Sequence, residues 1–199
     1  MSTLLDEAER SGAEEWNVPD GYELIDGQLV EMPMGVESAY VGGELHRRLS
    51  NHCVTDNLGW VLPSDAGYRC FPHRPRLLRK PDVSFVRAGR FPGDRPPRGD
   101  SRLAPDLVVE VVSPNDLAED VQEKVADYLS AAVHLIWVVY PSSRMAIEYR
   151  PGGAAGWVTE QGELDGRDVV PGFRCRLSDV LLPAQPPAEG TDGAASGGE

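Results

Sequence analysis

The sequence predicts an α/β (α+β) domain, a mixed β-sheet flanked by helices and preceded by an N-terminal β-hairpin. Three observations predict it. Two short alternating runs meet at Asp26-Gly27, the strongest short-range hairpin signal a chain carries. A valine-rich stretch from Leu107 to Val112 is too continuously apolar to face water on one side, which places it inside a covered sheet. The elements also follow one another as a helix, strands, a second helix and a further strand, the order expected of helices packed against a mixed sheet.

Each element has its own local reason. Tyr22 to Met32 supplies the hairpin, followed by a helix from about Ser38 to Cys53, with Val41, Leu45, Leu49 and Cys53 recurring along one face and Gly42-Gly43 weakening it. Strands are expected at Trp60 to Leu62, Ala66 to Phe71, Pro81 to Val86 and Leu107 to Val112. Asn115 to Ala132 reads as a helix with acids in its first turn, where the helix dipole favours them. Leu135 to Tyr140 is short and uninterruptedly apolar, hence a central strand. Met145 to Arg150 and Trp157 to Glu160 form an expected antiparallel pair across Pro-Gly-Gly, and Leu177 to Leu182 a last helical turn. The organisation expected is a flexible acidic segment over 1–17, one folded domain over 18–182 and a disordered Pro/Gly/Ala-rich tail over 183–199.

Composition narrows the function. With 41% hydrophobic and 26% charged residues in 199, the chain is of ordinary globular type. It has no apolar run near the ~20 residues that span a bilayer and no signal-like apolar segment at its acidic start, so the expectation is a cytoplasmic protein without a membrane partner. Cys53, Cys70 and Cys175 are odd in number and far apart, which argues against a disulfide framework and a structural zinc site. The net charge of −13 opposes a nucleic-acid partner until its distribution is considered. Between Arg69 and Arg102 ten basic residues face three acids, a local +7 that leaves −20 elsewhere. Such a segment suits a phosphate backbone, with Arg74, Arg76, Arg79 and Lys80 as candidate contacts, or it is a solvated Pro/Gly-rich loop.

The chemistry is concentrated in three side chains. Glu110 interrupts the valine run, and burying it unpaired would cost several kcal/mol, so it needs a metal, a cation or hydrogen-bond donors. Asp82 follows the same pattern in Lys80-Pro-Asp82-Val-Ser-Phe-Val86. On the helix after Glu110, taking about 100° per residue, Lys124 lies roughly 20° outside the apolar stripe of Val121, Val125, Tyr128 and Ala132. It therefore borders the buried face, where it needs an anion or reaches water along its stem. Two carboxylates and a lysine form a set suited to metal-assisted phosphodiester hydrolysis, the lysine orienting or deprotonating water or offsetting charge at phosphorus.

Tyr22-Glu-Leu-Ile-Asp-Gly, Lys80-Pro-Asp82-Val-Ser-Phe-Val, Pro105-Asp-Leu-Val-Val-Glu110-Val-Val-Ser-Pro, Lys124 with Tyr128, and Ile136-Trp-Val-Val-Tyr-Pro141, taken in that order, resemble the Uma-two restriction endonuclease family of the PD-(D/E)XK nuclease superfamily. The resemblance implies a restriction-endonuclease-like fold and a divalent metal, Mg²⁺ or Mn²⁺, held by Asp82 and Glu110. It further implies DNA as substrate, with RNA left open, an accessory role for Glu23 and, as in many nucleases of this fold, a possible homodimer. The superfamily lysine two residues after the glutamate is absent, since that position is Val112, and the resemblance maps it to Lys124. Two further departures stand out: Ser38 occupies a position where many relatives carry histidine, and Tyr140 one where aspartate is usual. His46 and His52 lie deeper in the first helix and are expected in core or surface roles. The alternative is a nuclease-fold module that binds nucleic acid or protein without turnover.

Overall fold

The computed structural model describes residues 18, 19, 21–32 and 35–184. The expected flexible start and nearly all of the expected tail lie outside them. Strands β1 (Tyr22–Ile25) and β2 (Gln28–Glu31) form the hairpin, with Ile25 opposite Gln28 so that Asp26-Gly27 is a two-residue turn. Both turn residues have positive φ, 50° and 84°, as a primed hairpin turn requires and as Asp-Gly tolerates.

Helix α1 (Val36–Thr55) follows, longer at both ends than its apolar periodicity indicates. Val41, Leu45, Leu49 and Cys53 all lie buried along it, as one-face spacing demands. The central sheet has the order β3-β4-β5-β6-β7-β8, from β3 (Gly59–Pro63), β4 (Val83–Arg87), β5 (Leu107–Val111), β6 (Leu135–Tyr140), β7 (Met145–Arg150) and β8 (Ala154–Thr159). Only β5 and β6 run parallel. Helix α2 (Ala118–Ser130) makes that crossover, which a parallel pair requires because no tight turn can join its strands.

The two helices cover opposite faces. Val83, Phe85, Leu107, Val109 and Val111 pack with the buried residues of α1 in one apolar cluster. Val108, Ile136 and Val138 pack with Val121, Val125 and Tyr128 of α2 in another. Side chains of a strand alternate between faces, so Glu110 falls on the α2 side with Val108. This explains why β5 is apolar at every position but Glu110: both of its faces are covered. Among the described residues no helix is long and apolar enough to cross a membrane.

Two sequence expectations change. The segment from Ala66 to Phe71 is not a ladder strand; it carries isolated bridges from Tyr68 to Arg79 and to Ser101. Its β-prone residues find only single-residue partners, so their pairing is local. The chain after β8 instead forms a second small hairpin, β9 (Glu163–Asp165) with β10 (Arg174–Arg176), before a 3₁₀ turn at Leu177–Asp179. Leu164, Val169, Val170, Phe173 and Leu177 close the bottom of the α1 cluster. These strands are only three residues long and contain charged residues, which hides them from periodicity.

Candidate active site

A cleft of about 490 Å³ opens where the hairpin, the start of α1, the ends of β4 and β5 and the outer face of α2 converge. Strand pairing builds its floor. The β4 and β5 ladder ends with Val83 opposite Val109, which leaves Asp82 just before β4 and Glu110 just past the paired stretch of β5. Asp82 Oδ2 accepts a hydrogen bond from the Val111 amide at 2.6 Å, which fixes the carboxylate at the strand end. Gly42 of α1 lies against it, where even a Cβ would be 3.7 Å from the Asp82 Cβ.

Glu110 is 5% exposed, and both of its oxygens are occupied by donors from α2. Lys124 Nζ donates to Oε2 at 3.0 Å and Tyr128 OH to Oε1 at 2.6 Å. Lys124 and Tyr128 are four residues apart and so lie one above the other on the same helical face. The glutamate in the valine run thus has two hydrogen-bond donors, one of them a cation.

Electrostatics follow from this crowding. Burial pushes the Asp82 carboxyl up to about 7, with repulsion from Glu110 adding to it. Burial also raises the Glu110 pKa, against the opposing attraction of Lys124. For Lys124 burial works against the charge, yet Glu110, Glu23 and Asp82 outweigh it and hold the ammonium above its ordinary pKa. The lysine is therefore protonated at neutral pH.

The Asp82 shift has a stability consequence in metal-free protein. Its folded pKa of about 7 stands above the ordinary 3.8, so between these values the folded state holds a proton that the unfolded chain has released. The associated stability is fully present below about pH 4 and is lost as pH rises through about 7. Asp82→Asn, which keeps an acceptor for the Val111 amide, is expected to remove this loss and to exceed wild type at pH 8 by roughly 1–3 kcal/mol. Denaturant titrations of both proteins at pH 5 and pH 8 measure it, and parallel pH dependences would contradict it.

Glu23 also faces this cleft, but as a buried anchor at 1% exposure. Its Oε1 accepts from the Lys80 amide and its Oε2 from Arg79, both at 2.8 Å. It is not the solvated strand residue that its position in a two-stranded hairpin would allow. Arg79 in turn donates to Asp127 Oδ2 at 2.6 Å, tying the hairpin to α2. Removing one partner of such a buried pair typically costs ~3–5 kcal/mol, so this pair holds the cleft wall in place.

That arrangement corrects the expected nucleic-acid contacts. Arg79 is 2% and Lys80 7% exposed, and Lys80 Nζ donates to the Pro19 carbonyl. Arg74 is engaged by Asp26, Glu123 and Asp127. Arg79 is balanced by the buried carboxylates of Glu23 and Asp127, Lys80 Nζ is turned to a backbone carbonyl, and Arg74 is shared among Asp127 and the exposed Asp26 and Glu123. Arg76 lies at the surface beside the Asp26-Gly27 turn.

Ser38, in the first turn of α1, lines the same cleft. Its hydroxyl bonds the Gly35 carbonyl at 2.9 Å and pairs with Ser113 Oγ at 2.8 Å. A neutral hydroxyl pair thus stands at this point of the cleft wall. His46 borders a neighbouring concavity with Asp82, and His52 instead contacts the Pro171 carbonyl and Phe173.

The donor set suits a hard divalent cation. Asp82 and Glu110 supply carboxylate oxygens, and Mg²⁺ is commonly held by one or two carboxylates with water and substrate phosphate completing its shell. The cleft is lined by seven acids, Glu23, Glu31, Asp82, Glu110, Asp116, Asp120 and Glu123, against Arg79 and Lys124. Such an excess of negative charge repels a phosphate unless cations enter with it. Among the described residues no group of three or more His, Cys, Asp or Glu is arranged to hold a metal on its own, so coordination would rest on the two carboxylates.

Comparison with known proteins follows the same line. A family model described as "Uma2: Putative restriction endonuclease" matches residues 16–180. No curated protein matches. Among solved structures, a putative nuclease belonging to DUF820 from Anabaena variabilis ATCC 29413 aligns with a TM-score of 0.68 at 19% identity, covering 89% of this chain and 96% of that one. At that identity the likeness establishes a shared fold.

Proposed function

The chain belongs to the Uma2 family of putative restriction endonucleases, and we propose that it is a metal-dependent endonuclease hydrolysing phosphodiester bonds of DNA. The observation that carries this reading is the convergence of Asp82, Glu110 and Lys124 in one cleft, with Lys124 Nζ 3.0 Å from Glu110. Asp82 and Glu110 would hold Mg²⁺ or Mn²⁺. A bound ion would act as Lewis acid toward the phosphate and lower the pKa of coordinated water.

The chain's own residues do the remaining work. Val111 and Tyr128 hold the two carboxylates in place through hydrogen bonds, so the donor oxygens are oriented before substrate arrives. Lys124, held protonated by its anionic neighbours, serves as donor: it orients the attacking water or stabilises charge developing on the phosphate oxygens. A proton-accepting role is disfavoured by the same shift. Glu23 acts at one remove, through Arg79, by fixing the hairpin against α2.

Supercoiled plasmid incubated with Mg²⁺, with Mn²⁺ and with chelator tests the reading. Metal-dependent conversion to nicked circles is expected. Binding without cleavage in every metal would favour the non-catalytic module, for which the replacement of the relatives' histidine by Ser38 speaks. The unit proposed to act is the 18–182 domain of a protein in the cytoplasm, and two-strand cleavage by this fold would suit a homodimer.

A further inference from the structure

The basic segment divides in two in the fold. Arg79 and Lys80 turn inward and Arg74 is held in ion pairs, while Arg95, Arg98 and Arg102 are exposed and, among the described residues, have no hydrogen-bond or ion-pair partner. These three arginines line a second cleft of about 780 Å³, in which Asp100 is the only acid among the described residues. Asp100 is itself engaged by Arg69 Nε at 2.7 Å. The field of this cleft is therefore opposite in sign to that of the acidic active-site cleft.

The loop that carries the arginines is held at both ends. Phe91 is buried. The Asp94 carboxylate accepts from the Gly89 amide at 2.8 Å. At the other end the Ser101 amide donates to the Gly67 carbonyl and its carbonyl accepts from the Arg69 amide, both at 2.8 Å. Ser101 Oγ bridges the Leu103 carbonyl and amide. Pro92, Pro96 and Pro97 stiffen the span between. Gly67 permits this seat, since a Cβ there would meet the Asp100 carboxylate. Charges on a preorganised loop lose less entropy on binding than charges on a floppy one.

The arginine cleft also connects with the active site. Asp82 and Ser38 are shared by the acidic cleft and a smaller concavity beside it. That concavity shares Pro63 with a third, which shares Pro96, Pro97 and Arg98 with the arginine cleft. A track of adjoining concavities, the middle two meeting at Pro63, thus leads from Asp82 to Arg98.

We propose that Arg95, Arg98 and Arg102 form the backbone-binding subsite of this protein, gripping phosphates of the nucleic-acid strand whose neighbouring bond lies over Asp82 and Glu110. The inference rests on the hydrolase reading for the direction of the track, and binding tests it independently of cleavage. Removing two or three phosphate contacts on duplex lowers the slope of log affinity against log salt by about 0.9 for each. Fluorescence anisotropy with labelled DNA duplex, single strand and RNA of one sequence, run without metal and with Ca²⁺, provides the measurement.

In the Arg95→Ala/Arg98→Ala/Arg102→Ala protein affinity is expected to fall by roughly 10-fold or more, with the slope reduced by about 2–3. The corresponding triple lysine protein should recover most of the slope, because the term depends on charge. Since the three side chains have no partner among the described residues, both variants should unfold at the wild-type temperature. Equal affinity and slope in wild type and the alanine variant would overturn the subsite. Plasmid cleavage at wild-type KM by the alanine variant would overturn it while leaving the hydrolase reading intact. Arginine-dependent binding without cleavage in any metal would do the reverse.

Discussion

Asp82→Ala and Glu110→Ala each abolish measurable Mg²⁺ or Mn²⁺ binding and lower phosphodiester hydrolysis by roughly 10³-fold or more, ~4 kcal/mol of barrier. This is the expected result because the two carboxylates line one cleft and no third carboxylate, His or Cys among the described residues completes a set without them. Losing either leaves a single carboxylate, a weak site for a hydrated ion when no substrate phosphate completes its shell. Isothermal titration of wild type and both variants reads the binding, and plasmid nicking reads the activity. Retained metal affinity in both variants would refute a shared ion. Asp82→Asn and Glu110→Gln separate loss of charge from loss of shape, since each amide keeps an oxygen for the Val111 amide or the Tyr128 hydroxyl.

Lys124→Met gives the second large effect, a loss of turnover of roughly 10²-fold or more with the fold retained. Methionine keeps the unbranched stem and fills the same space, so the change isolates the ammonium. It also removes the cation that opposes the upward shift of Glu110. Glu110 then ionises at higher pH, and the acid limb of the activity profile moves upward with it. A purely structural lysine would show neither the turnover loss at saturating metal nor the displaced limb. An unshifted profile with wild-type turnover would move the protein toward a non-catalytic binding module.

Much of this molecule is written locally. Asp26-Gly27 specifies its hairpin because the two positive φ angles of a primed turn admit few other residue pairs. The spacing of Val41, Leu45, Leu49 and Cys53 sets the buried face of α1, and a charge inside the valines of β5 marks Glu110 as a residue that must have partners. The position of Lys124 at the edge of an apolar stripe already aims it at the sheet.

What remained for the tertiary structure was the choice of partners. Tyr128 looks like one more apolar residue on α2, and only the approach of α2 to β5 turns its hydroxyl into the second donor on Glu110. The arginines from Arg69 to Arg102 are alike in sequence, yet Arg79 is locked between Glu23 and Asp127 while Arg95, Arg98 and Arg102 stand in solvent. Ala66 to Phe71 has strand-forming residues but no neighbouring strand to pair with, and β9 and β10 are strands with hardly any local signal. Turns and amphipathic faces depend on residues a few positions apart, so a sequence determines them by itself. Ion pairs, ladder partners and the side of the fold on which a charge emerges depend on residues tens of positions apart, and these are decided only when the chain has packed.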